Sequence, residues 1–450
     1  MSVAPVPSDA ADPLADAAGR RVLLIGPGDL VDEVEEGLEA AGADVLRLGA
    51  PGDADVREAL ERHRPESVAI VDRGDALPAR HALLVRHLDE DVPIVVTIFE
   101  PAMAEQVRER VPNCRVSSLA DTVAPSLAGP CLGDDILAVL PHDDGSTTAV
   151  RRTDEGLEER PLERERERRA RAFATAVFRP YDTSAALFFY GAIGLVLMLL
   201  FEVVGAIIVL DQKPPDAIYG SAKSLVTVGP NEAVSDGPSW FKLAVTASMF
   251  LTLLSAACFS GGLINRLVDE RLTGLVGRRA VPRSDHVVVV GLGQVGLRLC
   301  LLLRECGIPV VAVDTEQHGE NVGLARRLKL PVVIGRGANP QVLRKLSLDR
   351  ARAFAAVTPD DLTNLQAAMA ARAIAADVRV LLRAGDGEVA DETRSLERIG
   401  EVRDVHRIGA AHLAGLALGI DATGVICTDD GPELLLADGG RAAFPLPVRT

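Results

Sequence analysis

The stretch AALFFYGAIGLVLMLLFEVVGAIIVL, Ala185 to Leu210, carries one ionisable side chain, Glu202, in 26 positions. As a helix rising 1.5 Å per residue it reaches about 39 Å, enough to cross a hydrocarbon core with some tilt. A helix apolar all round has no face to give to water, so this stretch predicts a membrane span. WFKLAVTASMFLTLLSAACFSGGLINRLV, Trp240 to Val268, is similarly long and less apolar, and predicts a second span. Within it Gly261-Gly262 is a candidate gate hinge, with a bend and a close-packing site both open as readings. Glu202 is costly at membrane depth unless paired or facing water, which leaves a place on a pathway or one near the outer interface.

The flanks orient the hairpin. ERERERRARAFATAVFRP precedes the first span, and Arg266, Arg271, Arg278, Arg279 and Arg283 accompany the end of the second. The loop between them has Lys213 and Lys223, with Lys242 at its edge, so both termini are expected in the cytoplasm and the protein in the plasma membrane. Trp240 and all three tyrosines fall within residues 181–240, as suits rings settling at headgroup depth. The Glu/Arg run reads either as a lever to the membrane or as a solvated helix laced with ion pairs. A formal charge of −16 gives no wide basic field and excludes nucleic acid as a partner class. Six scattered cysteines, with no CxxC pair and no His cluster, predict reduced thiols and no metal site. Residues 1–19 are small and acidic and predict a loose tail, without the apolar stretch of a signal peptide.

Between the spans, PPDAIYGSAKSLVTVG starts with prolines and continues helix-compatible up to Gly229, the form of a re-entrant helix. The order resembles a two-span potassium-channel pore, through DAIY, Ser224-Leu225 and Thr227-Val228-Gly229. The resemblance implies a filter of backbone carbonyls at Thr227, Val228, Gly229, Pro230 and Asn231, with a monovalent cation as permeant ion. Such filters continue Tyr-Gly-Asp, whereas this chain continues Pro230-Asn231-Glu232. Pro230 lacks an N–H, and Asn231 is the natural substitute where a left-handed backbone is needed. Weakened or altered cation selectivity follows.

HVVVVGLGQVGLRLCLLLRECGIPVVAVD, His286 to Asp314, reads as strand, glycine turn, helix and second strand ending in an acid. Gly291 permits the tight turn, Gly293 lets phosphate approach the backbone and Gly296 lets helix and strand pack. The helix N-terminus, opening with Gln294 and Val295, favours anionic phosphate, and Asp314 accepts from ribose hydroxyls. The continuation from Pro331 to Ala384 resembles the RCK domain, the regulator of potassium conductance shared by gated channels and Trk/Ktr-type transport subunits. The residues that carry it are Gly335 and Ala338, NPQVLRKL, RARAFAAVTPDDLTNL with Thr358 and Asn364, and Arg383. The resemblance implies a site for NAD(H) or an adenine nucleotide (ATP or ADP), built from the glycines, Asp314, Thr315, Gly335, Arg336, Thr358, Asn364 and Arg383. Where the family has Gly-Asp-Ala this chain has Gly335-Arg336-Gly337-Ala338, which changes the fit or favours extra phosphate charge.

RRVLLIGPGDLVDEV repeats the plan near the N-terminus with Gly26 and Gly28, but Val31 stands for the third glycine and ADVLRLG ends without an acid. SLAGPCLGDDILAVLPHDDG, from Ser126, parallels HLAGLALGIDATGVICTDDG, from His412, without a gap. An internal match of this kind predicts a duplicated module, its Asp-Asp-Gly elements being hairpin turns or, alternatively, metal ligands.

The fold expected is two α/β Rossmann-like RCK lobes flanking an all-α two-span pore domain. The boundaries are a tail at 1–19, a degenerate lobe at 20–148, a charged linker at 149–183 and the pore at 184–268. A linker at 269–284, a nucleotide lobe at 285–408 and a tail with a hairpin at 409–450 complete the chain. The function expected is a ligand-gated cation channel, not an enzyme, assembled as a homo-tetramer in the lipid bilayer. A non-conducting membrane-anchored sensor or transporter subunit is the first alternative, and a membrane-tethered NAD-dependent oxidoreductase the second.

Overall fold

A computed structural model describes residues 14, 17–142, 144–154, 156–162, 183–226, 229, 231–268, 281–282, 284–385, 399–428 and 430–447. The chain divides into two compact units, residues 1–172 together with 282–450, and residues 173–281.

In the first unit, β1 (Arg21–Ile25), α1 (Asp29–Ala40), β2 (Asp44–Leu48), α2 (Asp53–His63), β3 (Ser67–Ile70), α3 (Ala76–Leu88), β4 (Ile94–Thr97), α4 (Pro101–Arg110) and β5 (Cys114–Ser117) build a parallel sheet. Its order is β2-β1-β3-β4-β5. Alternate residues of β1 face opposite sides: Val22 and Leu24 pack with Val31, Val34 and Leu38, while Leu23 and Ile25 pack with Val56 and Leu60. α5 (Leu119–Leu132) follows, then an antiparallel sheet of β6 (Ile136–Pro141), β7 (Thr147–Thr153) and β8 (Gly156–Pro161). The lobe therefore runs on past residue 148, because β7 and β8 occupy sequence expected to be linker.

The second unit is helical: α6 (Thr183–Val209), α7 (Pro214–Leu225), a 3-10 turn (Glu232–Asp236) and α8 (Ser239–Val268). Residues 186–209 and 239–264 are long and apolar enough to cross a membrane. α6 packs along α8 through small residues: a Cβ at Gly191 would collide with the Phe259 backbone and one at Gly194 with Ser255. α8 runs unbroken through Gly261-Gly262, where Gly261 faces open space and Gly262 is buried. Glu202 is buried and accepts a hydrogen bond from Ser248 Oγ (2.7 Å).

One expectation fails here. Asn231 is extended (φ −60°, ψ 122°), not left-handed. Its side chain caps the 3-10 turn by accepting from the Ala233 N–H, and it pairs with the Gln212 amide at 2.8 and 3.3 Å. Asparagine is a strong cap residue, and capping wants an extended backbone. Gly229 takes the unusual conformation instead, at φ 152°. Thr227, Val228 and Pro230 lie outside the described residues.

The first unit resumes with β9 (Val287–Val290), α9 (Gln294–Glu305), β10 (Val310–Asp314), α10 (Glu320–Arg327), β11 (Val332–Ile334), α11 (Pro340–Lys345), β12 (Ala353–Ala356), α12 (Asp361–Ile374), β13 (Arg379–Ala384) and β14 (Glu401–Asp404). The parallel sheet order is β11-β10-β9-β12-β13-β14. α13 (Val405–Ala417) spans the boundary expected at 408 and leads into β15 (Ala422–Thr428), β16 (Gly431–Leu436) and β17 (Arg441–Ala443). Tight β6–β7 and β15–β16 hairpins stand where the Asp-Asp-Gly turns were expected, with Asp143 and Asp429 outside the described residues.

The lobes exchange helices. α5 leaves its own lobe and lies against α9, β12, β13 and β14, while α13 crosses back to lie against α1, β3 and β4. Ser126 Oγ donates to the Val425 carbonyl (2.9 Å) and Ser67 Oγ to the Ala417 carbonyl (2.6 Å), both buried. Ala138 and Val150 of one antiparallel sheet meet Ile426 and Leu435 of the other.

Candidate functional site

At the carboxyl ends of β9 and β10 the chain turns through Gly291, whose φ of 93° favours glycine. A Cβ there would also strike the Thr358 backbone, and one at Gly296 would strike the Gly291 carbonyl oxygen. Gly293 caps α9 with extended backbone, and a Cβ on it would meet nothing within 4 Å. The two outer glycines are thus demanded by packing, and the middle one leaves open space over a helix N-terminus with no acidic residue in its first turn. Unpaired N–H groups and the helix dipole make that space suited to phosphate.

Asp314 braces the turn from the neighbouring strand. Its Oδ2 accepts the Leu292 N–H (2.6 Å) and its Oδ1 accepts the Glu316 N–H (2.8 Å). A carboxylate has about four lone-pair sites, so each oxygen keeps capacity for a ribose hydroxyl. Gly335 donates its N–H to the Asp314 carbonyl (2.8 Å), which sets the exposed Arg336 two residues beyond Ile334, the acid's own strand partner. Thr315 is exposed beside Asp314, Gln294 is half-buried at the start of α9, and Val295 is buried in the core.

Thr358 and Asn364 form the far wall. The buried Asn364 side chain accepts from Thr358 N (2.9 Å) and Oγ1 (2.7 Å), and it donates to the carbonyls of Thr358 (2.9 Å) and Arg383 (3.0 Å). Asn364 therefore stitches the ends of β12 and β13 together, and its amide is committed to the scaffold. No metal was expected; among the described residues no group of three His, Cys, Asp or Glu gathers as a cation cage.

The N-terminal lobe holds the same turn in altered form. Gly26 donates to the Leu48 carbonyl (2.9 Å) as Gly291 does to that of Val313 (2.9 Å), so Pro27 corresponds to Leu292 and Gly49 to Asp314. Donor and acceptor of the bracing bond are lost together, because proline has no N–H and glycine has no carboxylate. Val31 is fully buried in place of the third glycine, and Asp29 and Asp32 put negative charge in the first turn of α1. That charge opposes phosphate. Only the strand register shows that Pro27 and Gly49 face one another.

The comparisons agree with this geometry. Residues 287–402 match the TrkA-N domain model. Over 221 residues the chain is 24% identical to the voltage-gated potassium channel Kch of Escherichia coli, covering 46% of this chain and 52% of that one. It is 20% identical over 242 residues to Potassium channel protein 1 of Methanocaldococcus jannaschii, covering 51% and 71%. It is 32% identical over 178 residues to K(+) efflux antiporter 2, chloroplastic, of Arabidopsis thaliana, covering 38% of this chain and only 15% of the antiporter. The solved GsuK channel shares the fold, with a TM-score of 0.51 at 17% identity over 93% of this chain and 67% of that one. The chain thus carries a TrkA-N domain and is distantly similar to potassium channels and K(+) efflux antiporters.

Proposed function

We propose that this chain is the subunit of a ligand-gated, potassium-type cation channel, in which four copies gather their α7 segments about one axis. The observation that carries the reading is the extent of the similarity to potassium channels. A match over 46% of the chain is longer than either soluble portion, so it takes in part of the 173–281 hairpin. The order of long helix, proline-led short helix, Gly229 at positive φ and second long helix supports the same reading, with α7 as the pore helix. Residues Thr227 to Asn231 then line the filter, Gly261 and Gly262 supply the gate hinge, and a monovalent cation permeates. Both flanks of the hairpin belong to one soluble unit, so the chain returns to the side it left; the arginine-rich flanks favour the cytoplasm.

The ligand is NAD(H) or an adenine nucleotide. Gly291, Gly293, Gln294, Val295 and Gly296 cradle its phosphates and Asp314 with Thr315 takes a ribose. Gly335 and Arg336 meet the adenosine side, and Thr358, Asn364 and Arg383 shape the wall. Nucleotide moves the gate only by binding one arrangement of the ring better than the other. Planar-bilayer recording of purified protein in mixed potassium and sodium is the test. A current with weaker potassium preference than an intact carbonyl filter gives is expected; no current under any ligand condition overturns the channel.

The antiporter similarity supports a second reading, a regulatory chain that conducts nothing and biases a separate transporter. Cation flux into liposomes containing only this chain separates the two.

A further inference from the structure

The soluble unit holds a cavity of about 520 Å³ lined by both lobes, remote from the glycine turn. Asp285, Ile308, Arg352 and Arg379 line it from the amino ends of β9, β10, β12 and β13, whereas the glycine turn lies at their carboxyl ends. Four-residue strands separate the two places by roughly 13 Å. Leu132 and Arg151 close the cavity from the N-terminal lobe.

Three guanidinium groups converge there. Arg151 holds Asp135 (3.0 Å) and Arg379 holds Asp134 (2.8 Å), and Arg352 pairs with Asp285 (2.9 Å) among its contacts. A guanidinium carries five N–H donors in a planar fork, so a single carboxylate does not exhaust it. Arg151 Nε is buried with no hydrogen-bond partner.

The duplicated lobe supplies a control. By the strand register, Arg20 corresponds to Asp285 and Glu66 to Arg352, so the corner charges are inverted. In the N-terminal lobe the Arg20 guanidinium turns into that corner and donates to the Leu418 carbonyl (2.5 Å). In the C-terminal lobe the counterpart is an aspartate paired with Arg352, and both residues line the cavity. An arginine-walled opening is therefore particular to this side of the molecule and not a by-product of the fold.

We propose that this cavity is a second ligand site, for a small organic or inorganic polyanion bearing phosphate or carboxylate groups. Its anionic oxygens compete with Asp134 and Asp135 for the guanidinium forks of Arg379 and Arg151. Leu162 and Asp285 line it close in sequence to where the unit's first portion ends at Ala172 and its second resumes at Pro282.

The test is calorimetric titration of the full chain in detergent with tripolyphosphate and, separately, with citrate. Saturable binding is expected, weakened about tenfold or more in an Arg151→Ala/Arg379→Ala variant. Ala351→Phe, which fills the space without removing charge, should weaken it equally, with every titration made in a Gly293→Ala background so that phosphate binding at the glycine turn does not contribute. Preference for one probe assigns phosphate or carboxylate chemistry. No saturable binding of either probe overturns the proposal, as does binding that survives both cavity variants.

Discussion

His412 lies in α13, buried where that helix crosses onto the N-terminal lobe, and burial together with the Arg115 charge lowers its pKa to about 4. The unfolded chain takes up this proton near pH 6.5, the folded chain only near 4. Stability is therefore whole above pH 6.5 and falls as pH drops from 6.5 to 4, by about 3 kcal/mol in full. His406, also lowered by burial, adds in the same direction, while Asp404, raised by burial, opposes it at the acid end. Urea unfolding from pH 7.5 to 4.5 should show the decline, and His412→Leu should flatten it; an unchanged slope in the variant rejects the assignment. The glycine turn makes a second residue-scale prediction. Gly293→Ala meets open space and should keep the melting temperature within about 2 °C, yet weaken nucleotide binding about tenfold or more. Gly296→Ala collides with the Gly291 carbonyl and should cost about 3 kcal/mol. Thermal melts with and without NAD(H) or ADP distinguish these outcomes.

The exchange of α5 and α13 sets stability at the scale of elements. The cross-lobe ion pairs Arg298–Asp121 and Arg379–Asp134 are substantially exposed and contribute about 0–1 kcal/mol each. Apolar contacts carry the interface: Ile408, Leu413, Val123 and Leu127 are almost wholly buried, at about 1.5–3 kcal/mol each. Residues 20–162 produced alone should expose one sheet face and aggregate, while co-expression with 282–450 should yield a soluble complex with one cooperative melt. A cooperative melt of 20–162 by itself would contradict the exchange. The strands, the glycine helix and the duplication were legible because each leaves a local mark: continuous valine runs, glycine spacing, a gapless internal match. The exchange leaves none. α5 and α13 are buried on nearly every side, so no polar stripe records which sheet they cover, and β7 and β8 alternate too weakly to stand out from a charged linker. The Asn231 error has a related cause, because asparagine serves both a left-handed backbone and a helix cap, and only the Gln212 pairing decides between them.

At the scale of the whole molecule, the channel reading requires a shared axis. Native mass spectrometry in mild detergent should give a tetramer, and a dimer would weigh decisively against a pore formed by one hairpin per chain. The duplicated lobes have diverged at the glycine turn: one keeps it open, and the other has Pro27, Gly49 and two aspartates in its place. The crossed helices also bear on biosynthesis. On the channel reading, a ribosome releases residues 20–162 long before α13 exists, so the first sheet waits half-covered while the hairpin enters the bilayer. Only a chain whose hairpin has returned to the starting side delivers α13 to the waiting face. On that reading completion of the first lobe certifies correct membrane insertion, and chains inserted wrongly should be the ones that proteases clear.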